Sequence, residues 1–313
     1  MSGINIVFLG TPDFAVPSLA VLCENGYNVI GVFTQPDRPK GRGGAVVFSP
    51  VKEYAISRGI PVFQPEKIRA EEPARVLREL APDLMVTAAF GQILSEENLA
   101  VPRLGCVNVH ASLLPKYRGS SPIQWAIARG ETQTGVTTMY TDAGVDTGDM
   151  ILQNKLDILP EETAGELFDR LAELGARTLL QTVKLIEEGK APRVPQDHAQ
   201  ATHFPMLNRE NAFLDFDKPA RELCCFVRAM NPWPVAWCRC GGDILKVYAA
   251  HTVEKTSDCA PGTVLAADAK NGLLVACGDG VVSLDQIQLP GKRVMDAKTF
   301  FVGNRLPDTL LTP

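Results

Sequence analysis

The sequence predicts an α/β protein in which a Rossmann-like domain with a mostly parallel sheet precedes a small, OB-like β-barrel domain. Three observations support this prediction. Short apolar runs alternate with helix-like segments through the first half of the chain, which is typical of βαβ units. One long amphipathic helix is followed by a Pro-rich stretch. Beyond about residue 230, short β-type runs separated by Gly and Asp replace the helix signals.

The first half of the chain predicts the strands and helices of the sheet domain. Ile4–Leu9 reads as a buried strand ending at Gly10, and Asp13–Glu24 has a helical pattern ending near Gly26. The other predicted strands are Val29–Thr34, Pro61–Phe63, Asp83–Ala88, Cys106–His110 and Val136–Tyr140, and the other predicted helices are Val51–Ser57, Glu71–Leu80 and Ile123–Arg129. Alternation at this spacing favours a mostly parallel sheet.

The clearest helix in the sequence is Glu166–Glu188, and it marks the end of the first domain. Its aliphatic side chains recur with a period of 3.6 residues, and Gly189 follows it. Residues 190–205 carry three prolines and little periodicity, which is typical of a linker. We therefore predict domains over residues 1–189 and 208–313, joined by a linker over 190–207. The barrel strands are expected at Ile244–Ala249, Gly262–Ala266, Leu273–Cys277 and Val281–Ile287.

Composition and charge exclude several classes of protein. The 313 residues are 45% hydrophobic and 21% charged, which is ordinary for a globular protein. No apolar run approaches the roughly 20 residues that span a bilayer, and no basic segment precedes the first apolar run. We therefore expect a cytoplasmic protein with no membrane partner. The net charge of −5 argues against nucleic-acid binding through bulk charge, so local patches would have to hold any such partner.

Eight cysteines raise the question of a metal site. Cys238 and Cys240 are separated by one residue and Cys224 and Cys225 are adjacent, so neither pair has the two-residue gap of a zinc knuckle. We expect no metal and interpret the cysteines mainly as small buried side chains.

The basic residues concentrate in one Pro/Gly-rich stretch. Arg38, Lys40, Arg42 and Lys52 occur with no acidic residue between positions 38 and 52. This stretch is expected to be a mobile, exposed loop. It is either simply solvated or positioned to contact phosphates, because flexible cationic side chains adapt to a nucleic-acid backbone.

Several common nucleotide and hydrolase motifs do not occur. Gly10-Thr11-Pro12-Asp13 follows the first strand without the G-x-G-x-x-G spacing of a dinucleotide site. The sequence also has no Walker-type phosphate loop and no G-x-S-x-G elbow. A nicotinamide dehydrogenase and a serine hydrolase are therefore disfavoured.

Two other segments carry candidate chemistry. Strand periodicity places Asn108 and His110 on the same face at the carboxyl end of a predicted strand, where α/β sheets form their sites. The pair is either functional or a satisfied pair of core polar groups. The acidic, glycine-containing loop over residues 142–149 is either functional or a solvated turn. Its acids lack the spacing of an EF-hand calcium loop.

Together these segments resemble the folate-dependent formyltransferases. The run from Asn108 to Pro115 reads Asn-Val-His-Ala-Ser-Leu-Leu-Pro, and the loop at 142–149 reads Asp-Ala-Gly-Val-Asp-Thr-Gly-Asp. The finer resemblance is to the methionyl-tRNA formyltransferase family. It rests on Phe8–Ala15, on Thr34–Pro39 with Gly41–Gly43, on Ser49–Lys52 and on Asn231–Trp237. It covers nearly the whole chain, but Gly44–Phe48 departs from the lysine-richer loop of that family.

The resemblance implies an activity and its residues. The expected reaction transfers the formyl group of 10-formyltetrahydrofolate to the α-amino group of initiator methionyl-tRNA, catalysed by a monomer. Asn108, His110 and Asp146 would be catalytic, with Asn108 donating to the oxyanion and His110 or Asp146 taking the amine proton. The residues expected to line the folate site are Ser112, Leu113, Leu114 and Pro115. Those expected to contact tRNA are Arg38, Lys40 and Arg42, with Lys292 and Arg293 as further candidates. Trp233 and Trp237 either stack on RNA bases or lie in the core, and we expect the core because tryptophans in a Pro-rich turn are more often buried.

Three alternatives remain at this point. The same superfamily includes formyltransferases that act on nucleotide-linked amino sugars, and the Gln35–Pro39 and Ser49–Lys52 segments disfavour that activity. A glycinamide-ribonucleotide formyltransferase would leave the last hundred residues without a role. A non-catalytic RNA-binding module would leave Asn108, His110 and Asp146 unexplained.

Overall fold

The computed structural model describes residues 3–40, 45–307 and 309–312, and the chain divides into two compact units. The first comprises Met1–Gly119, Thr134–Asp157 and Phe168–His203. The second comprises Ser120–Gln133, Ile158–Leu167 and Phe204–Pro313. Two short internal segments thus group with the C-terminal part of the chain. The contiguous boundaries that we predict from composition stay a prediction.

The strands follow the apolar runs of the sequence. In chain order they are β1 (Asn5–Gly10), β2 (Asn28–Phe33), β3 (Arg38–Lys40), β4 (Ala45–Val47), β5 (Val62–Phe63), β6 (Leu84–Ala88), β7 (Cys106–His110), β8 (Gln133–Tyr140), β9 (Met150–Asp157), β10 (Ala236–Cys240), β11 (Asp243–Val253), β12 (Val264–Asp268), β13 (Gly272–Ala276), β14 (Val281–Gln288), β15 (Met295–Asp296) and β16 (Leu311–Thr312).

The α-helices follow the amphipathic segments. In chain order they are α1 (Val16–Glu24), α2 (Pro50–Ser57), α3 (Glu71–Leu80), α4 (Glu96–Leu99), α5 (Pro122–Ala128), α6 (Ala164–Glu187), α7 (Ala220–Met230) and α8 (Ala297–Gly303). The predicted stripe of α6 is buried throughout, at Leu167, Leu171, Leu174, Leu179, Val183 and Ile186. No helix is predicted beyond residue 230, so α8 was not expected from the sequence. This helix is only seven residues long and consists largely of Thr, Val and Phe, which are weak helix formers.

The sheet of the first unit has the strand order β5-β2-β1-β6-β7-β8-β9. The pairs β1–β2, β1–β6, β2–β5 and β6–β7 are parallel, whereas β7 and β8 are antiparallel. Every residue of β6 is buried. The predicted mostly parallel α/β sheet is therefore confirmed. Helix α6 packs on β7 through Gly175, because a Cβ there would lie 3.1 Å from Val109. A regular strand backed by a long helix thus supports residues 106–110.

The basic stretch of the first unit differs from the prediction. It is expected as an irregular loop, but β3 and β4 pair as an antiparallel hairpin with Arg38 opposite Val47. Val46 and Val47 have the β-branched side chains that suit a strand. Residues 41–44, among them Arg42, lie outside the described residues.

The second unit contains an antiparallel sheet in the order β12-β13-β14-β11-β10-β16, with β15 paired to β14. The two ends of this order also meet. The amide of Leu311 donates to Gly262 at 2.8 Å, and the amide of Val264 donates to Thr309 at 2.9 Å. Gly262 has a φ of +87°, and a Cβ there would lie 2.1 Å from the Leu311 carbonyl oxygen. The sheet therefore curls back on itself, as the barrel prediction requires.

The described residues hold neither a membrane-crossing helix nor a metal cluster. No helix among them is both long and apolar enough to span a bilayer, and no three His, Cys, Asp or Glu are grouped to hold a metal ion. Five of the eight cysteines are buried. Burial raises the pKa of the Cys106 thiol to about 12, which makes it a poor nucleophile.

Candidate active site

The candidate site lies at the carboxyl end of β7, a strand held between β6 and β8. Asn108 and His110 are two residues apart on this strand, so their side chains leave the same face. Asn108 is half-buried, and His110 is only 7% exposed. The alternation of the strand thus places an amide and an imidazole side by side, in a setting that limits their motion.

Asp146 reaches this pair from the loop before β9. One of its carboxylate oxygens accepts from the Asn108 Nδ2 at 3.3 Å, and the other lies 3.5 Å from the His110 Nδ1. The second oxygen also accepts from the backbone amide of Gly119 at 2.8 Å. The structure therefore brings together the three residues predicted to be catalytic. Since a carboxylate oxygen faces the imidazole, the two groups can exchange a proton.

The amide of Asn108 has a defined orientation. The Thr87 hydroxyl donates to the Asn108 Oδ1 at 2.9 Å, and Thr87 lies beside Asn108 across the β6–β7 ladder. The Oδ1 is thereby occupied, so the Nδ2 is directed to the Asp146 side. An amide held in this way presents its N–H groups to the site without having to reorient.

The ring of His110 is fixed by a backbone carbonyl. Its Nε2 lies 2.9 Å from the Tyr117 carbonyl oxygen. A carbonyl oxygen only accepts hydrogen bonds, so the Nε2 carries the hydrogen. The Nδ1, which faces Asp146, is then the ring nitrogen available for proton exchange.

The predicted folate-site segment is partly used for internal bonding. The Ser112 hydroxyl donates to Lys116 O at 2.7 Å, and the Leu114 carbonyl accepts from Gln153 at 2.7 Å. Ser112 and Leu114 are 1% and 3% exposed, whereas Leu113 and Pro115 are half-buried. Leu113 and Pro115 are therefore the members of this segment that offer apolar surface.

The predicted tRNA-contacting residues are placed differently. Arg38 is 71% exposed and 3.4 Å from Glu66. Lys40 ends β3, opposite Ala45. The neighbouring Lys52 is instead held internally, bonded to Asp37 and to Gln64 and lying 3.8 Å over the Phe48 ring.

The structure also shows how exposed the C-terminal candidate residues are. Lys292 and Arg293 are exposed. Trp237 is half-buried and donates to Arg209 O at 2.6 Å. The core prediction for Trp233 is wrong, since this side chain is 51% exposed. It lies between Pro232 and Pro234, in a turn that directs it outward.

The residues that hydrogen-bond to Asn108, His110 and Asp146 and fix their positions were not predicted from the sequence. These are Thr87, the Tyr117–Gly119 turn and Gln196. Every residue has a backbone carbonyl, and nearly every residue has a backbone amide, so contacts made by these groups cannot be recognised from residue type. Gln196 is 50 positions from Asp146, so no local pattern connects the two. The one available signal is Gly119, whose φ of +85° favours glycine.

Comparison with known proteins places the chain in a family. Residues 4–183 match the family model "Formyl transferase", and residues 206–305 match "Formyl transferase, C-terminal domain". The chain is 49% identical over 302 residues to the methionyl-tRNA formyltransferase of Acetivibrio thermocellus, covering 96% of this chain and 97% of the relative. It is 46% identical to that of Clostridioides difficile, covering 98% and 99%.

A solved structure supports the fold. The N-formyltransferase of Helicobacter canadensis, in complex with folinic acid and dTDP-3-aminofucose, superposes with a TM-score of 0.68 at 19% identity, covering 90% of this chain and 99% of that chain. At this identity the likeness bears on the fold alone. The family models and the identity to whole relatives decide the assignment: the chain belongs to the formyl transferase family and groups with its methionyl-tRNA formyltransferases.

Proposed function

We propose that Asn108, His110 and Asp146 perform the reaction of this enzyme. The chain transfers the formyl group of 10-formyltetrahydrofolate to the α-amino group of initiator methionyl-tRNA, giving N-formylmethionyl-tRNA. The observation that supports the proposed residues is their mutual contact at the end of β7, with the Asp146 carboxylate touching both the amide and the imidazole.

Asn108 is proposed to stabilise the charge that develops when the amine attacks the formyl carbon. The negative charge appears on the formyl oxygen, and the Asn108 Nδ2 is a donor whose orientation Thr87 already fixes. Removing one such donor costs about 10²–10³ in rate. Asn108 also bonds to Asp146, so formyl oxygen and carboxylate would share the two amide hydrogens.

Asp146 and His110 are proposed to handle the protons. Formation of the new C–N bond leaves a proton on the attacking nitrogen, and the departing nitrogen requires one. The Asp146 carboxylate can accept the first, while the His110 Nδ1 faces the same carboxylate at 3.5 Å and can pass a proton onward.

The co-substrate supplies the formyl group, and the residues around β7 fit a flat, partly apolar molecule. Leu113 and Pro115 offer half-buried apolar surface near the strand end, and we propose that they contact the pterin. Ser112 and Leu114 are proposed to shape the turn that presents them, since both are bonded internally.

Binding of tRNA is assigned to basic residues of the stretch between positions 38 and 52. We propose that Arg38, Lys40 and Arg42 contact phosphates, that residues 1–189 form the catalytic domain and that 208–313 add further tRNA contacts. The enzyme is proposed to act as a monomer in the cytoplasm, where its aminoacyl-tRNA substrate is made and used.

The decisive experiment incubates the protein with methionyl-tRNA and 10-formyltetrahydrofolate and detects formylmethionine after mild deacylation. A parallel reaction contains a dTDP-linked amino sugar in place of the tRNA. Formylation of the methionine and not of the sugar is expected. The reverse result would replace this proposal by the amino-sugar activity.

A further inference from the structure

The turn from Tyr117 to Gly119 contacts the catalytic group directly through Tyr117 and Gly119, and indirectly from Arg118 through Gln196. The Tyr117 carbonyl accepts from the His110 Nε2 at 2.9 Å, and the Gly119 amide donates to the Asp146 carboxylate at 2.8 Å. We infer that this turn, acting with Gln196, is a positioning unit that fixes Asp146 relative to His110. The inference rests on the catalytic roles proposed above.

The third contact runs from Arg118 through Gln196. The Arg118 Nε and Nη2 both donate to the Gln196 Oε1, at 3.0 and 2.7 Å. The Gln196 Nε2 then donates to two carbonyl oxygens of the catalytic loop, that of Asp146 at 3.0 Å and that of Gly148 at 2.8 Å. Arg118 and Gln196 are 4% and 5% exposed, so these bonds form away from water.

The guanidinium decides which way the Gln196 amide points. Arg118 has only donors, so the amide oxygen must face it and the amide nitrogen must face the loop. The positive charge also polarises the amide, which strengthens its N–H groups as donors. His198 accepts from the same guanidinium at 3.2 Å through its Nδ1, which helps to hold the arginine in place.

The loop needs such support because Asp146 has a left-handed backbone. Its φ is +53°, a conformation that non-glycine residues adopt at a cost. Gly148 is constrained by close packing, since a Cβ there would lie 1.8 Å from the Tyr140 carbonyl oxygen. Gln196 bonds the carbonyls of both residues. A conformation that the loop would not adopt alone is thus maintained by a buried side chain from a distant segment.

This arrangement makes Gln196 a positioning residue. It lies behind the loop and acts through the backbone of Asp146 and Gly148. Its loss should therefore slow the chemical step while leaving substrate affinity in place, because small displacements of a catalytic group are costly in rate.

The test compares Gln196→Glu with Gln200→Ala. Gln196→Glu retains an oxygen for Arg118 but turns a carboxylate oxygen toward the two carbonyls in place of the donor. We expect kcat to fall about 10- to 100-fold, with both KM values within about twofold. Gln200 is exposed and its side chain bonds to Asp197, which lies outside the site, so its variant should match the wild type.

Two further variants complete the test. If Gln196→Glu melts well below the wild type, Gln196→Met removes the same donor without adding charge, and the same kcat loss is expected. The double variant Gln196→Glu/Asp146→Ala should be no slower than Asp146→Ala alone, because Gln196 acts through Asp146.

The outcomes separate the two proposals. A wild-type kcat for the Gln196 variants beside an inactive Asp146→Ala would overturn the positioning unit alone. A wild-type kcat for Asp146→Ala would overturn the catalytic assignment itself. Additive losses in the double variant would also contradict the inference.

Discussion

Two regions of the first unit, the proposed catalytic group at the end of β7 and the basic hairpin β3–β4, hold their polar side chains in opposite ways. His110 is 7% exposed, and each of its ring nitrogens faces an oxygen of the protein. Arg38 is 71% exposed, and its partner Glu66 is also largely exposed. Groups that act on bonds are fixed before the substrate arrives, whereas groups that would contact a polyanion keep their surface free.

The same contrast appears within the basic stretch. Lys52 is 13% exposed and is bound to Asp37 and Gln64, while Arg38 points to solvent. In the sequence, Lys52 and Arg38 are both basic residues of the same stretch, and nothing distinguishes their exposure. The structure separates an anchoring cation at the base of the hairpin from one that is accessible to a partner.

The largest effect should come from removing the fixed groups. Asn108→Ala and Asp146→Ala should each lower single-turnover formylation at least about 10²-fold, with tRNA affinity measured by filter binding nearly intact. Under the proposed mechanism these side chains act on the reacting atoms, whereas the tRNA contacts are assigned to other residues. Rapid quenching followed by deacylation measures the rate.

Matched controls for these variants lie on the surface. Asn25 bonds only within the end of α1, and Asp169 is exposed on α6. Asn25→Ala and Asp169→Ala should keep the wild-type rate. An Asn108→Ala enzyme at near-normal speed would mean that the site is placed wrongly.

A smaller effect is expected from the exposed cations, and it should depend on salt. Three phosphate contacts predict a slope of about −2.7 in log K against log [salt], or about a 40-fold loss of affinity from 50 to 200 mM. Arg38→Ala should weaken tRNA binding and reduce the slope by about one. Formylation at saturating tRNA should be unchanged.

Arg75→Ala is the control for the salt experiment. Arg75 is a half-exposed cation on α3 that pairs with Glu79 along the same helix. The Arg75→Ala variant should show the wild-type slope of log K against log [salt]. A slope that stays near zero for the wild type would remove the hairpin from tRNA binding altogether.

The sequence predicted the parts of the site that follow from periodicity and missed those that depend on the backbone. Asn108 and His110 follow from the period of a strand, and the stripe of α6 follows from the period of a helix. Asp146 was assigned through resemblance alone. The Tyr117 carbonyl and Gln196 were missed because a carbonyl is common to all residues and a contact over 50 positions has no local pattern.

The smallest effect concerns the base of the hairpin, where Asp37 bonds to Lys52 and Gln64. The hydrogen bond from Lys52, followed by that from Gln64, holds the pKa of Asp37 below its ordinary value of 3.8. A lowered pKa means that folding favours the charged carboxylate. The stabilisation is therefore fully present above pH 3.8 and is lost as the pH falls through the lower value of the folded protein.

Asp37→Asn should accordingly loosen the hairpin at neutral pH. Hydrogen exchange at the β3–β4 amides should speed up by no more than about fivefold at pH 7, because partly exposed ion pairs contribute little. The difference from wild type should shrink as the pH falls below 3.8 and should vanish below the lower pKa of the folded protein, where the wild-type carboxyl is also neutral. Glu66→Gln, which removes the exposed partner of Arg38, should leave exchange at both pH values unchanged. If Asp37→Asn exchanged like the wild type at pH 7, the base of the hairpin would be no more anchored than its exposed end, and the contrast between Lys52 and Arg38 would not hold.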